Sequence, residues 1–344
     1  MWAGLCGSYN LPLPAPNVQI APPSPTEAAD TMSAALKRVD DVIRLRLASK
    51  VALIDQISSY IISAGGKRIR PRLVLLFADA FGYEGQAKYE LAATVEFIHT
   101  ATLLHDDVVD ESSLRRGRAT ANAMFGNAAS VLVGDFLYSR AFQMMVSVQN
   151  MQVLAVLAEA TNVIAEGEVL QLMNMHDPDL SVEEYLRVIR FKTAKLFEAS
   201  ARLGAVIAGA TPDLEEACAT YGRALGTAFQ LVDDLLDYDG DSRTLGKNVG
   251  DDLREGKPTL PLLIAMQRCD ADERAQIRHA IEHGAAADLP QILGIVRRTG
   301  ALEATREAAA DEAAKAQACL SVLPDSAARS ALLDLCARSA ERSS

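Results

Sequence analysis

Hydrophobic positions recur at helical spacing through most of the chain. Leu36, Val39, Ile43 and Leu47 fall at i, i+3 and i+4 intervals along one face. Leu73, Leu76 and Phe77 continue the pattern after Pro71, a residue suited to the first turn of a helix. Segments 88–110, 128–149, 151–174, 182–209 and 214–239 are expected to be long helices, several apolar on most faces and therefore buried. Gly and Pro punctuate the gaps, and alternating apolar–polar strands are not evident. The pattern predicts an all-α fold, a single large helical bundle.

Residues 1–31 break this pattern. They hold six of the thirteen prolines, at 12, 14, 16, 22, 23 and 25, and neither Lys nor Arg. They lack both the charged start of a secretory signal and the Arg-rich face of a transit peptide. The expectation is a disordered, Pro-rich tail over 1–31, followed by one helical domain over 32–344.

Composition narrows the class. Hydrophobic residues make up 49% of 344 and charged residues 23%, the proportions of a globular chain with a sizeable core. A net charge of −11 argues against a nucleic-acid partner, so any Lys/Arg cluster stands out as local. The five cysteines are scattered and form no Cys-x-x-Cys, which excludes a disulfide framework and points to a reducing compartment, the cytoplasm. No apolar run reaches the ~18–20 residues of a transmembrane segment.

Two stretches carry the chemistry. Leu103-Leu104-His105-Asp106-Asp107-Val108-Val109-Asp110 and Leu231-Val232-Asp233-Asp234-Leu235-Leu236-Asp237 each place Asp-Asp-x-x-Asp on a predicted helix. The first and last carboxylates of each motif stack one turn apart, where like charges repel. A solvated acidic face would not be flanked by Leu-Leu and Val-Val, so these carboxylates are expected to hold cations. All-oxygen ligands suit Mg²⁺ or Mn²⁺.

Basic residues complete the set. Gly65-Gly66-Lys67-Arg68-Ile69-Arg70-Pro71-Arg72 concentrates four cations in a loop that opens a helix, where backbone N–H groups attract anions. Arg115 and Arg116 follow the first Asp motif; Lys192-Thr193, Lys247 and Lys257 lie further on. Arg68 and Arg72 fit an ordinary surface role equally well. With the Asp clusters, the cations make electrostatic sense for two phosphorylated substrates. One diphosphate would be bridged to carboxylates by metal, and the other gripped directly by Lys and Arg. Carboxylates alone would repel a diphosphate, so the charges require the metal.

Gly-Gly-Lys-x-x-Arg-Pro, the first Asp-Asp-x-x-Asp with Arg115-Arg116-Gly117 after it, Phe229-Gln230 before the second motif and Gly246-Lys247-Asn248 after it resemble the trans-isoprenyl diphosphate synthases. The phrases from Phe97 to His105 and from Gly250 to Pro261 look most like the long-chain bacterial enzymes of the octaprenyl diphosphate synthase type. The resemblance covers residues 33 to 344 and implies an isoprenoid synthase bundle around a central cavity, usually homodimeric. It implies a prenyltransferase that adds isopentenyl diphosphate to an allylic diphosphate such as farnesyl diphosphate. The product would be a long all-trans chain, octaprenyl, for quinone side chains.

Residue roles follow from the same resemblance. Lys67, Arg70, His99 and Arg116 match positions that bind isopentenyl diphosphate. Arg115, Lys192, Thr193, Gln230, Lys247 and Lys257 match those around the allylic diphosphate. Asp106, Asp110, Asp233 and Asp237 match the ligands of a cluster of about three Mg²⁺ ions. Loss of diphosphate would leave an allylic cation that the double bond of isopentenyl diphosphate attacks, with no protein nucleophile. The growing chain would run from Asp106 past Thr102 and Ala101 towards Ile98, with Phe136, Phe142 and Met145 as candidate stoppers. So apolar a product suggests transient membrane contact, although no amphipathic anchor is evident.

Two further patterns are set aside. His279, Glu282 and His283 match H-x-x-E-H, but no strand or further ligand region supports a zinc site. Gly240 to Lys247 resembles a P-loop with wrong spacing and Asn248 where Ser or Thr is needed. Beside the long-chain synthase, a shorter-chain (geranylgeranyl or farnesyl) synthase, a class I terpene cyclase and a non-catalytic regulatory subunit remain as readings, and the last two differ in their residues. The cyclase would not need the Gly-Gly-Lys and His99 group, and the regulatory subunit is expected to lose its Asp motifs.

Overall fold

A computed structural model describes residues 25–63, 65–115, 117–239, 249–285 and 288–340. The helices are α1 Pro25–Leu47, α2 Ala52–Ser63, α3 Ile69–Ala80, α4 Ala87–Val109, α5 Ala121–Phe125, α6 Asn127–Ser147, α7 Met151–Asn174 and α8 Val182–Ile189. They continue with α9 Lys195–Ile207, α10 Pro212–Asp239, α11 Asp251–Arg254, α12 Leu260–Arg268, α13 Ala271–His283, α14 Leu289–Arg298, α15 Ala301–Cys319 and α16 Ala327–Ala340. The all-α expectation holds, and the long helices begin and end close to the limits the hydrophobic pattern set.

Three departures matter. First, α1 starts at Pro25, inside the stretch expected to be tail. Proline at the first helical turn lacks only an N–H that would have no partner there, and no proline follows before Leu47. Residues 1–24 of that tail lie outside the described residues. Second, the helix expected over 182–209 is divided by a π turn at Arg190–Ala194. Third, β1 Leu114–Arg115 and β2 Arg118–Ala119 form a small antiparallel ladder, far too short to leave a period-2 signal.

Helix α4 packs on α1, α3, α6 and α9, while α10 packs on α9, α15 and α16. Close approach depends on small residues. A Cβ on Gly204 of α9 would lie 2.7 Å from the Ala78 nitrogen of α3, so only glycine allows that crossing. The ends are fixed by capping. The Asn150 side chain accepts from the Gln152 and Val153 N–H groups, and Ser181 forms a reciprocal capping box with Glu184. No described helix is long and apolar enough to cross a membrane.

Candidate active site

A cavity of about 860 Å³ opens between α4, α7, α10, the π turn and segment 249–259. Its α4 wall presents His99, Thr102, Leu103, Asp106 and Asp110, spaced three and four apart so that they share one face. Asp107 points elsewhere. It is buried and accepts from Arg115 Nε at 2.8 Å and from Nη2 at 2.7 Å, so the β1–β2 ladder ties Arg115 to the middle of the motif.

The π turn supplies the second wall. One extra residue per turn there aims Lys192 and Thr193 into the cavity together. Lys192 Nζ donates to Glu168 Oε2 at 2.6 Å and lies 3.6 Å from Asp106 Oδ2. Burial pushes the Glu168 carboxyl up to about 7, opposed by Lys192. Neighbouring helices reach this turn through glycines. A Cβ on Gly167 would lie 2.6 Å from the Lys192 nitrogen, and one on Gly226 would lie 2.7 Å from the Ala194 Cα. Gly226→Ala is therefore expected to cost about 1–3 kcal/mol by overpacking and to lower turnover by displacing Thr193 and Lys192. Calorimetry and steady-state rates check this; an unchanged melting point and rate would contradict the packing described.

Helix α10 forms the third wall with Phe229, Gln230 and Asp233. Thr193 Oγ1 donates to Gln230 Oε1 at 2.9 Å, and Gln230 Nε2 donates to Asp234 Oδ1 at 2.7 Å. Tyr185 closes the chain by donating to Asp234 Oδ2 at 2.5 Å. Burial first and the nearby Asp252 second push the Asp234 carboxyl up to about 7, against the hydrogen bonds from Tyr185 and Gln230. Asp237 does not line the cavity. It is fully buried, its carboxylate accepts the Asp252 N–H at 3.1 Å, and its carbonyl accepts the Gly250 N–H at 2.9 Å. Segment 249–252 folds over it, so the second motif offers Asp233 and Asp234 to the cavity.

Segment 249–259 closes the site. Lys257 Nζ lies 2.9 Å from Asp110 Oδ2 and 2.5 Å from Glu255 Oε2. Burial opposes the charge on Lys257, but Asp110, Asp252 and Glu255 outweigh it and raise the ammonium pKa. Opposite, Gly65 (φ 69°) and Arg68 (φ 49°) take left-handed conformations that turn the chain into α3. Lys67 and Arg70 then line the cavity, with the Arg70 guanidinium 4.5 Å from the Phe197 ring centre. Arg68 pairs with Glu96, and with Asp40 at 3.6 Å, and so braces the loop.

Arg116 and Lys247 lie outside the described residues. Ala101 and Ile98, expected along a product tunnel, do not face the cavity; both are fully buried in the core beside α6. Thr102 is four positions from Asp106 and about 40° away round the helix, whereas Ala101 is five positions and about 140° away. Phe142, a candidate stopper, is 41% exposed. His279 and His283 are exposed on α13, away from the cavity. Glu168, Asp251, Asp252 and Glu255 line the cavity without having been assigned a role from sequence. No spacing rule links them to the Asp motifs, because the tertiary fold brings them there.

The donor set fits a hard divalent cation. Burial pushes the Asp106 carboxyl up, with Lys192 opposing and Asp110 adding to the rise, and one buried Asp252 oxygen, Oδ2, has no hydrogen-bond partner. Cations would relieve both, and oxygen-only ligands suit Mg²⁺. Among the described residues no three metal-ligating side chains already converge as a closed site. Lys192 and Lys257 stand beside Asp106 and Asp110.

An all-α bundle whose cavity sets carboxylates against lysines and arginines defines a class of helical enzymes acting on diphosphates. Residues 51–296 match the family model described as polyprenyl synthetase. Octaprenyl diphosphate synthase of Escherichia coli is 59% identical over 298 residues, covering 86% of this chain and 92% of that protein. A nonaprenyl diphosphate synthase of Rhodobacter capsulatus is 48% identical over 86% of this chain and 91% of its own length. The fold matches that of a polyprenyl synthase from Caulobacter crescentus, complexed with calcium and isoprenyl diphosphate, with TM-score 0.89. That structure is 47% identical and is matched over 93% of this chain and 98% of its own. The chain belongs to the polyprenyl synthetase family and is a long-chain trans-polyprenyl diphosphate synthase.

Proposed function

We propose that this chain adds isopentenyl diphosphate units to an allylic diphosphate such as farnesyl diphosphate, building octaprenyl diphosphate for quinone side chains. The observation that carries the reading is one cavity in which Asp106, Asp110 and Asp233 face Lys192 and Lys257. Asp106, Asp110 and Asp233 would hold about three Mg²⁺ ions, with Mn²⁺ as the alternative, and these supply positive charge at the departing diphosphate. Lys192, Thr193, Gln230 and Lys257 bind and orient the allylic diphosphate, with Arg115 held ready by Asp107. Lys67, Arg70 and His99 bind isopentenyl diphosphate on the opposite side, where no carboxylate motif intervenes. The Leu103, Val188, Ile189 and Phe229 side chains keep water from the allylic cation.

Calorimetry separates the two subsites. Isopentenyl diphosphate is expected to bind with or without Mg²⁺, while an unreactive thio analogue of farnesyl diphosphate binds only with it. Tight metal-free binding of the analogue would contradict the division of labour.

A homodimer is the assembly the surface favours. Leu132 of α6 is 67% exposed, and Leu172 and Met173 of α7 are 59% and 73% exposed, large apolar side chains that support the reading. Sedimentation should give a dimer, and Leu132→Asp with Leu172→Asp should give a folded monomer; a monomeric parent chain would overturn the assignment. The four described cysteines are free thiols, which supports the cytoplasm. Transient membrane contact would accompany release of so apolar a product.

A further inference from the structure

Immediately after α7, His176 adopts a left-handed backbone with φ 63°. Among non-glycine residues that conformation is uncommon, although Asn, Asp and His tolerate it better than most. Three contacts hold it there. The His176 N–H donates to the Gly256 carbonyl at 2.8 Å. Its Nδ1 lies 3.0 Å from the Ile281 carbonyl, which can only accept, so Nδ1 carries the proton. The ring rests on Gly256 so closely that a Cβ there would lie 2.2 Å from Nδ1. Nearby, Arg278 Nη2 donates to Asp179 Oδ2 at 2.9 Å, so the segment after α7 is tied to α13 twice.

Gly256 is the residue before Lys257. The Lys257 N–H donates to the Asp252 carbonyl at 2.8 Å, and Lys257 Nζ reaches Asp110 at 2.9 Å. A hydrogen bond to the Gly256 carbonyl therefore fixes the peptide plane that leads directly into Lys257. Backbone held in a sparsely populated region beside a functional site marks a constraint that the surrounding structure maintains.

We propose that His176 is a positioning residue, a strut between α13 and the Gly256–Lys257 peptide that aims the Lys257 ammonium at the allylic diphosphate. The proposal rests on the reading of Lys257 as a diphosphate ligand. His176 itself is solvent-exposed, so replacing it leaves the hydrophobic core intact. Asn is the informative substitution because it tolerates the left-handed backbone but removes the ring from Gly256.

The test is a double-mutant cycle with the parent chain, His176→Asn, Lys257→Ala and both together. Readouts are kcat and KM for farnesyl diphosphate, the melting point, and hydrogen exchange at the 253–259 amides of the ligand-free protein. Lys257→Ala should lower kcat/KM for farnesyl diphosphate. His176→Asn should lower the same ratio about tenfold, as supports of a site residue commonly do. Its melting point should stay close to the parent value while the Lys257 amide exchanges faster. The double variant should be no worse than Lys257→Ala alone. Effects that multiply, or an unchanged ratio with unchanged exchange in His176→Asn, would overturn the strut. A Lys257→Ala variant with parent kinetics would instead remove the role given to Lys257. Exchange in His176→Asn then decides the strut by itself, faster exchange supporting it and parent exchange overturning it.

Discussion

Asp106→Ala is expected to remove nearly all turnover, on the order of 10²–10³-fold or more, while the helical bundle stays folded. The carboxylate lines the cavity on the same face of α4 as Asp110, and on the function proposed above its loss would remove a ligand for the divalent cation. Stability should not fall with activity. Asp106 is largely withdrawn from solvent, it repels Asp110, and Lys192 keeps its 2.6 Å partner Glu168 when Asp106 is gone. The metal-free melting point should therefore hold or rise. Asp110→Ala should behave alike, because Lys257 retains Glu255 at 2.5 Å. Kinetics and thermal melting of the same preparations check both halves. Near-parent turnover in Asp106→Ala would overturn the site, and a large fall in melting point would mean that the carboxylate is structural.

Product length should respond to Thr102 and not to Ala101. A chain growing from Asp106 towards the start of α4 meets Thr102 one turn away, about 6 Å along the axis. Thr102 lines the cavity, so Thr102→Tyr places a phenol in the path. Products made from farnesyl diphosphate should shorten to geranylgeranyl length while the first condensation continues. Ala101 is fully buried in the core, so Ala101→Tyr should instead overpack it, costing about 1–3 kcal/mol and lowering the melting point. Chromatography of both products decides. Shortening by Ala101→Tyr with full-length product from Thr102→Tyr would place the path on the other face of the helix.

Much of this fold could be read in the chain because its helices are long and strongly periodic. Segment 151–174 coincides with α7, the second Asp motif falls on α10, and the first falls on α4 with Asp110 as its C-cap. The π turn at Arg190–Ala194 left no trace, since one extra residue barely disturbs a hydrophobic pattern that resumes at once. Yet that turn aims Lys192 and Thr193. The two Asp motifs look alike in sequence but differ in place. Asp110 lines the cavity, whereas its counterpart Asp237 is covered by segment 249–252, a long-range contact that no local rule encodes. Glu168 escaped notice for the same reason. It is an ordinary Glu on α7 until the fold brings Lys192 to it, 24 residues later in the chain.

Incubation with farnesyl diphosphate, radiolabelled isopentenyl diphosphate and Mg²⁺, followed by chain-length chromatography, tests the central claim most directly. The account predicts label in a long all-trans product of octaprenyl length, and none once the metal is chelated. Unlabelled product, or a cyclic hydrocarbon made from farnesyl diphosphate alone, would contradict it.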